Sequence, residues 1–214
     1  MRAFLATALV ALSIMIADPA FAAGADLPDG AIRFKVVRDG DEIGSHVLSV
    51  SHQGGDLVIA IEVRIAVKIA FVTVYRYEQT RREVWRDGRL VEFESATNDD
   101  GKKAAVKGRS TGDSLAVEGP KGTVNVAADI IPNSYWNSET VRRTALLSTF
   151  DGSLLNIMVT DMGEETVDTA TGPVPARRYK LTGDLERELW YDGTGRWVHM
   201  RTTRDDTPVD WILQ

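Results

Sequence analysis

The chain has 214 residues, a formal net charge of −6 and no cysteine. The lack of cysteine excludes disulfides, a lipid-modified cysteine and thiolate metal sites. The mild charge, mixed in sign along the chain, offers no basic stripe, so no nucleic-acid partner is expected.

Taken in order, Met1-Arg2 supplies a basic start and Ala3 to Ile16 an apolar run too short to cross a bilayer as a helix. Pro19-Ala20-Phe21-Ala22 then provides a small-x-small cleavage site. Together they predict a signal peptide over residues 1–22 and a periplasmic or secreted protein. No later segment is long, apolar and uncharged, so no integral membrane segment is expected after cleavage. Residues 23–214 read as a single all-β domain, long enough to bury a good core.

Turn signals punctuate that region: Asp39-Gly40, Gly54-Gly55, Asp87-Gly88, Asp100-Gly101, Thr111-Gly112-Asp113, Gly119-Pro120-Lys121-Gly122 and Asp192-Gly193-Thr194-Gly195. Glycine accepts, and aspartate tolerates, the positive φ angles of tight hairpins. Between the turns, strands are predicted near Ile32–Arg38, Ser45–His52, Leu57–Val67, Thr73–Trp85, Arg89–Asn98, Lys102–Arg109, Leu115–Glu118, Thr123–Ala127, Leu155–Thr160, Ala176–Leu181, Leu185–Tyr191, Arg196–Thr203 and Val209–Leu213. Many short strands joined by hairpins point to an antiparallel meander or barrel.

The most patterned stretch is Leu57 to Tyr77. Apolar or aromatic residues hold nearly every odd position, and the even ones carry Glu62, Arg64, Lys68, Arg76 and Glu78. A period of two places alternate side chains on opposite faces of a strand. One face of the sheet is therefore apolar and must be kept dry by curling or covering. Twenty-one residues would extend about 70 Å, so a bend, bulge or crossing segment is expected near Lys68–Val72. Ser138–Phe150, with Asn137 or Ser138 as N-cap, Glu139 in the first turn and Val141, Ala145 and Leu146 on one side, predicts a short amphipathic helix covering the sheet. The fold class is thus mainly β: one curved antiparallel sheet, half-barrel or open barrel, with one short covering helix.

The residues that could carry chemistry are sparse. His46 and His52 fall on one strand face, with His199 elsewhere, and nothing in their spacing demands zinc. There is no Gly-x-Ser-x-Gly elbow and no Ser-x-x-Lys; Ser134, with His46 and Asp129, is the only serine arrangement of interest. Gly163-Glu164-Glu165 holds the close acidic pair of note and reads as an exposed turn. No glycine-rich loop joins a strand to a helix, so no nucleotide cofactor is expected. Arg76, Arg81, Arg82 and Arg86 cluster along one strand; they suit an anionic head group, or pairing with Glu78 and Glu83 on a solvated face. Aromatic residues are more informative. Phe71, Tyr75, Tyr77 and Trp85 share the odd face, while Tyr135-Trp136, Trp190, Trp197 and Trp211 come from elsewhere. A curved sheet can gather several around an apolar hollow, where Tyr and Trp bring polar tips to an oily wall; simple core packing is the plainer alternative.

Ile43-Gly44-Ser45-His46, Val74-Tyr75-Arg76-Tyr77, Val84-Trp85-Arg86-Asp87-Gly88-Arg89-Leu90, Ile131-Pro132-Asn133-Ser134-Tyr135-Trp136-Asn137 and Pro175–Gly183 followed by Leu189-Trp190-Tyr191-Asp192 occur in that order. As an ordered set they resemble a bacterial domain-of-unknown-function family, number 6134, of exported proteins. That resemblance implies no catalytic residue and no cofactor. The strand-and-hairpin pattern is similar to periplasmic lipoprotein carriers of the open-barrel type, an analogy of fold alone.

The leading expectation is a soluble periplasmic module that binds a lipid, acyl chain or other hydrophobic ligand, with Phe71, Tyr75, Tyr77, Trp85, Tyr135 and Trp136 as wall and rim. The alternative is a filled-core interaction module docking another envelope protein, and the third is a weak hydrolase using His46 and Ser134.

Overall fold

The structure is a computed structural model describing residues 27–214; the expected signal peptide lies outside the described residues. Fourteen strands follow one another among them: β1 (Gly30–Arg38), β2 (Asp41–Gln53), β3 (Asp56–Ile69), β4 (Val72–Arg86), β5 (Arg89–Asp99), β6 (Lys102–Ser110), β7 (Ser114–Gly119), β8 (Gly122–Ala127), β9 (Ala145–Leu147), β10 (Leu154–Thr169), β11 (Gly172–Gly183), β12 (Arg187–Asp192), β13 (Trp197–Arg204) and β14 (Thr207–Leu213). All belong to one sheet, ordered β8-β7-β6-β5-β4-β3-β2-β1-β14-β13-β12-β11-β10-β9. Two meanders are joined where β1 pairs antiparallel with β14. The sheet curls but does not close: its end strands β8 and β9 do not pair with each other, and β9 is met on its outer side by residues 131–133, where the Leu147 N–H donates to the Ile131 carbonyl (2.9 Å). The turns are built as the Asp-Gly pairs demand. At Asp87-Gly88, for example, φ is 49° and 72°, the doubly positive geometry that matches the twist of a two-residue hairpin.

The long alternation is broken by a reversal. β3 and β4 are separate strands, connected through Ala70-Phe71 with Ile69 opposite Val72. A tight hairpin of that register pairs odd residues with even ones, which would turn the odd residues of β4 outward. A register shift between Val67 and Lys68 prevents this, because beyond it Val67 faces Tyr75, Ile65 faces Tyr77 and Ile61 faces Arg81. Cross-strand partners share a face, so one bulge keeps the odd residues of both strands inside the curl. The inner row of β4 is therefore Tyr75, Tyr77, Gln79, Arg81, Glu83 and Trp85.

The expected covering helix is reduced to a 3-10 turn, Ser138–Arg142, capped by the Asn137 side chain accepting from the Glu139 N–H. The rest of that stretch includes the edge strand β9, paired with β10. Glu139 and Val141 supply a helical start, but Arg143 already has extended backbone, and Ala145–Leu147 spends its backbone groups on the sheet instead. More telling is where residues 128–153 run. They pass through the inside of the curl and touch strands of both meanders. Trp136 Nε1 donates to Glu83 Oε2 (2.9 Å), which also accepts from Trp85 Nε1 (3.0 Å). Ser95 Oγ and Gln79 Nε2 donate to the Thr149 carbonyl (2.7 and 3.3 Å). On the far side, Tyr191 Oη donates to the Tyr135 carbonyl (2.7 Å). Around this inner segment packs one continuous core that includes Phe34, Leu48, Ile59, Phe93, Leu181 and Leu189.

The outer face is mostly solvated, with one exception. The β10–β11 hairpin reaches across to β14, where the Ala170 N–H donates to the Leu213 carbonyl (2.9 Å). Beneath it Trp190 Nε1 donates to Glu165 Oε1 (2.6 Å), and His199 Nε2 lies 2.8 Å from Asp210 Oδ1. Glu164-Glu165 is thus part of a strand rather than an exposed turn.

Gly44 is the tightest point between β2 and β3, where an added Cβ would collide with the Arg64 carbonyl oxygen and the Ile65 Cα. Both are backbone atoms that can move only with the sheet. Gly44→Ala should destabilise the fold by about 1–3 kcal/mol in denaturant unfolding. Gly193→Ala, with open space around its Cβ, should be neutral in the same measurement.

Candidate functional site

The inner segment fills only part of the curl. At the end formed by the β1–β2, β3–β4 and β13–β14 turns lies a cavity of about 750 Å³, within the range of small-molecule sites. Its apolar walls come from inward positions of β3, β13 and β14: Val63, Ile65, Val67, Met200, Val209 and Trp211. Arg38, Lys68 and Arg204, with Asp39 and Asp205, stand at its mouth. Its floor is polar: His46, Gln79, Arg81, Asn133, Tyr135 and Thr149. From Tyr75 near the mouth to Arg81 on the floor the inner row of β4 spans about 20 Å.

Most of the floor is internally satisfied. Gln79 Nε2 donates to Thr97 Oγ1 (2.7 Å), and Asn133 Oδ1 accepts from the Thr149 N–H (2.9 Å). Tyr135 holds a positive φ of 65°, a conformation costing a bulky residue on the order of 1–3 kcal/mol. The hydrogen bond from Tyr191 to its carbonyl and its ring contact with Trp197, 6.1 Å between centroids, hold it there. Burial raises the Tyr191 hydroxyl above its ordinary value, keeping it a donor. Two floor groups are different. Arg81 is 7% exposed, and its Nε and Nη1 are buried without a partner. His46 is 3% exposed, packs 5.3 Å from the Trp197 ring, and its Nε2 is likewise unpartnered. Burial, and secondarily the Arg81 charge, push the imidazole well below its ordinary 6.5, so it is neutral near pH 7.

Three of the six aromatic candidates lie at the cavity. Tyr75 and Tyr77 line its wall and Tyr135 its floor. Tyr75 Oη donates to Asp99 Oδ1 (2.7 Å), and burial raises the Tyr77 hydroxyl. Trp85 and Trp136 are instead behind the floor, packed edge-on at 5.3 Å and both bound to Glu83. Phe71, expected on the wall, is 99% exposed at the tip of the β3–β4 hairpin, because the chain reverses there. Trp190 lies on the outer face, as its bond to Glu165 requires, so it does not join the inner aromatics.

The arginine cluster divides by parity. Arg76, Arg82 and Arg86 are outward and pair with Glu78, Glu92 and Asp56. Arg81, at an odd position, turns in. The expectation of a solvated Arg81 paired with Glu83 is therefore corrected; no ion pair joins them, and Glu83 accepts from two indoles instead. Odd numbering shared with Tyr77 and Trp85 was the available signal for this residue.

The histidines do not converge. His52 is exposed and bonded to Asp29 Oδ1 (2.7 Å), and His199 is on the outer face. Among the described residues no cluster of His, Cys, Asp or Glu suited to a metal is present. Nor does a triad form: the Ser134 hydroxyl faces the Pro132 carbonyl at 3.5 Å, and Asp129 is tied to Arg143 (2.8 Å).

A family model for a domain of unknown function, DUF6134, matches residues 34–214. The chain belongs to the DUF6134 family. The matched region takes in every wall and floor residue of the cavity. The DUF6134 fold is also similar to a solved structure, a β-barrel-like protein of domain of unknown function DUF1849 from Brucella abortus, with a TM-score of 0.62 over 86% of this chain and 94% of that one. Sequence identity there is 11%, so the likeness is one of fold. No curated protein matches the chain.

The neutral, buried His46 makes stability depend on pH. Its pKa is lower folded than unfolded, so as pH falls below about 6.5 the unfolded chain takes up a proton that the folded one refuses. Stability should fall through that window, by at most about 1.4 kcal/mol per pH unit. In urea titrations between about pH 7 and pH 5, above the usual carboxylate range, His46→Phe should flatten the dependence.

Proposed function

We propose that this DUF6134 protein binds an apolar or amphiphilic ligand, such as a lipid or acyl chain, in the cavity of its open barrel. The observation that carries the reading is the cavity itself: apolar walls built from inward strand positions above a buried polar floor. An inner segment that packs against both meanders leaves this end open, although Ile65, Val67 and Tyr77 point into it. Each methylene taken from water into such walls gains about 0.8 kcal/mol. We further propose that the protein acts in the periplasm, on the strength of the basic, apolar and small-x-small pattern in residues 1–22; N-terminal sequencing of the native protein should then begin near Ala23.

Native mass spectrometry of protein purified from the periplasm should show a co-purifying mass released on unfolding. Ile65 is a partly buried wall residue, so Ile65→Trp should fill the cavity and reduce retention of that mass more than tenfold with little change in circular dichroism. Absence of any added mass, together with no uptake of a hydrophobic probe, would count against the reading.

A second reading has its own support. Ile69, Phe71 and Val72 are exposed by 68%, 99% and 66% at the hairpin beside the mouth, an apolar tip suited to docking an envelope protein. If docking is the main role, Phe71→Ser should abolish co-purification of the partner while leaving the cavity empty and unchanged.

A further inference from the structure

We propose that Arg81 is the seat of a carboxylate, so that a fatty-acid-like ligand enters the cavity head first and places its chain against the walls. This rests on the cavity reading above and assigns the ligand's charge and direction. An arginine does not lose its proton in a protein, and burying a charge without a partner is costly. Arg81 is nonetheless 7% exposed, lines the cavity floor, and leaves Nε and Nη1 unpartnered. Each edge with which a guanidinium grips a carboxylate, Nε with Nη2 or Nη1 with Nη2, thus keeps a buried donor without a protein partner.

The hydroxyl and carbonyl acceptors nearby are already occupied. The Thr149 carbonyl accepts from Ser95 Oγ and Gln79 Nε2, and Thr97 Oγ1 accepts from Gln79. Glu83 is the carboxylate nearest in sequence on the same face; its Oε2 binds two indoles and its Oε1 has no hydrogen-bond partner, and although its charge attracts Arg81, the two are not within ion-pair distance. The floor therefore presents one fixed cation beside a neutral imidazole, which suits a monoanion better than a phosphate dianion. The walls between Arg81 and the mouth are mainly apolar, which suits the chain that such a head group would carry; Arg187, which also lines the cavity, already donates to Thr202 Oγ1 and the Glu186 carbonyl (2.7 and 2.6 Å). At the mouth the charges are mixed: Arg38 lies within 4.0 Å of Asp39 and Asp205, which favours the floor over the rim as the anion's place.

The test uses the full folded protein, stripped of bound material, with dodecanoate, dodecanol and dodecyl phosphate as probes. Their dissociation constants are measured by displacement of an uncharged fluorophore. Wild type should bind dodecanoate at least about tenfold more tightly than dodecanol, the scale of one charge-assisted contact. Arg81→Met should lose that preference while still binding dodecanol, and Arg81→Lys should keep part of it. Arg204→Met, at the rim, should leave it unchanged. Equal affinity of wild type for dodecanoate and dodecanol would overturn the carboxylate seat while leaving the cavity reading intact; binding of none of the probes would overturn both. Loss of preference in Arg204→Met but not Arg81→Met would place the head group at the mouth and overturn the proposal, as would tighter binding of dodecyl phosphate. Should Arg81→Met fail to fold, wild type alone decides: carboxyl-labelled dodecanoate should titrate below its free pKa in carbon NMR when bound, and an unshifted or raised value would overturn the seat.

Discussion

Everything in this fold depends on residues 128–153 running inside the curled sheet. A fourteen-stranded sheet whose end strands β8 and β9 do not pair with each other has no ladder to hold its two ends together. The inner segment supplies the connection from within, through Trp136 to Glu83 on one meander and through the Tyr135 carbonyl to Tyr191 on the other. Small residues let it approach: an added Cβ at Gly119 would meet the Asp151 carbonyl at 2.6 Å, and Gly152 lies against Val106 and Val117. The same segment occupies one end of the interior and leaves the other as a cavity. Closure and cavity are therefore two results of one packing arrangement.

The polar groups within the core sort by whether they are satisfied. Glu83, Gln79, Ser95, Thr97 and Asn133 fasten the inner segment to the sheet, and most of their donors and acceptors are used. Tyr135 is held in a left-handed backbone conformation by the Tyr191 hydroxyl and the Trp197 ring, which sets its own ring at the boundary between packed core and open space. Arg81 and His46 stand on the open side of that boundary with unpartnered nitrogens. Polar groups that fasten the fold and polar groups that face the cavity thus lie within a few residues of one another on the inner row of β4.

Much of the architecture was legible from the chain alone. All thirteen expected strands are present, because turn chemistry at the Asp-Gly pairs and the two-residue period are local properties. The break expected near Lys68–Val72 is there, as a bulge after Val67 and a reversal at Ala70-Phe71, and because the bulge corrects the parity the odd-position pattern runs on across the hairpin. The misses have local causes as well. The helix expected over Ser138–Phe150 gave way to a 3-10 turn and β9, since the edge of β10 could satisfy the Ala145–Leu147 backbone. Of the six aromatic candidates, Tyr75, Tyr77 and Tyr135 lie at the cavity. Trp85 and Trp136 belong to the core, and Phe71 sits at a loop tip.

The amino-acid sequence by itself determined the strands, the hairpins and which face of β3 and β4 turns inward, because φ preferences and side-chain alternation act over a few residues. Only the tertiary structure decided how far the interior is filled. That outcome depends on where one long connection packs against strands dozens of residues away, and no periodicity encodes it. The position of Arg81 shows both levels at once: its odd number places it on the inner face, but only the packing of residues 128–153 makes that stretch of the inner face the lining of a cavity.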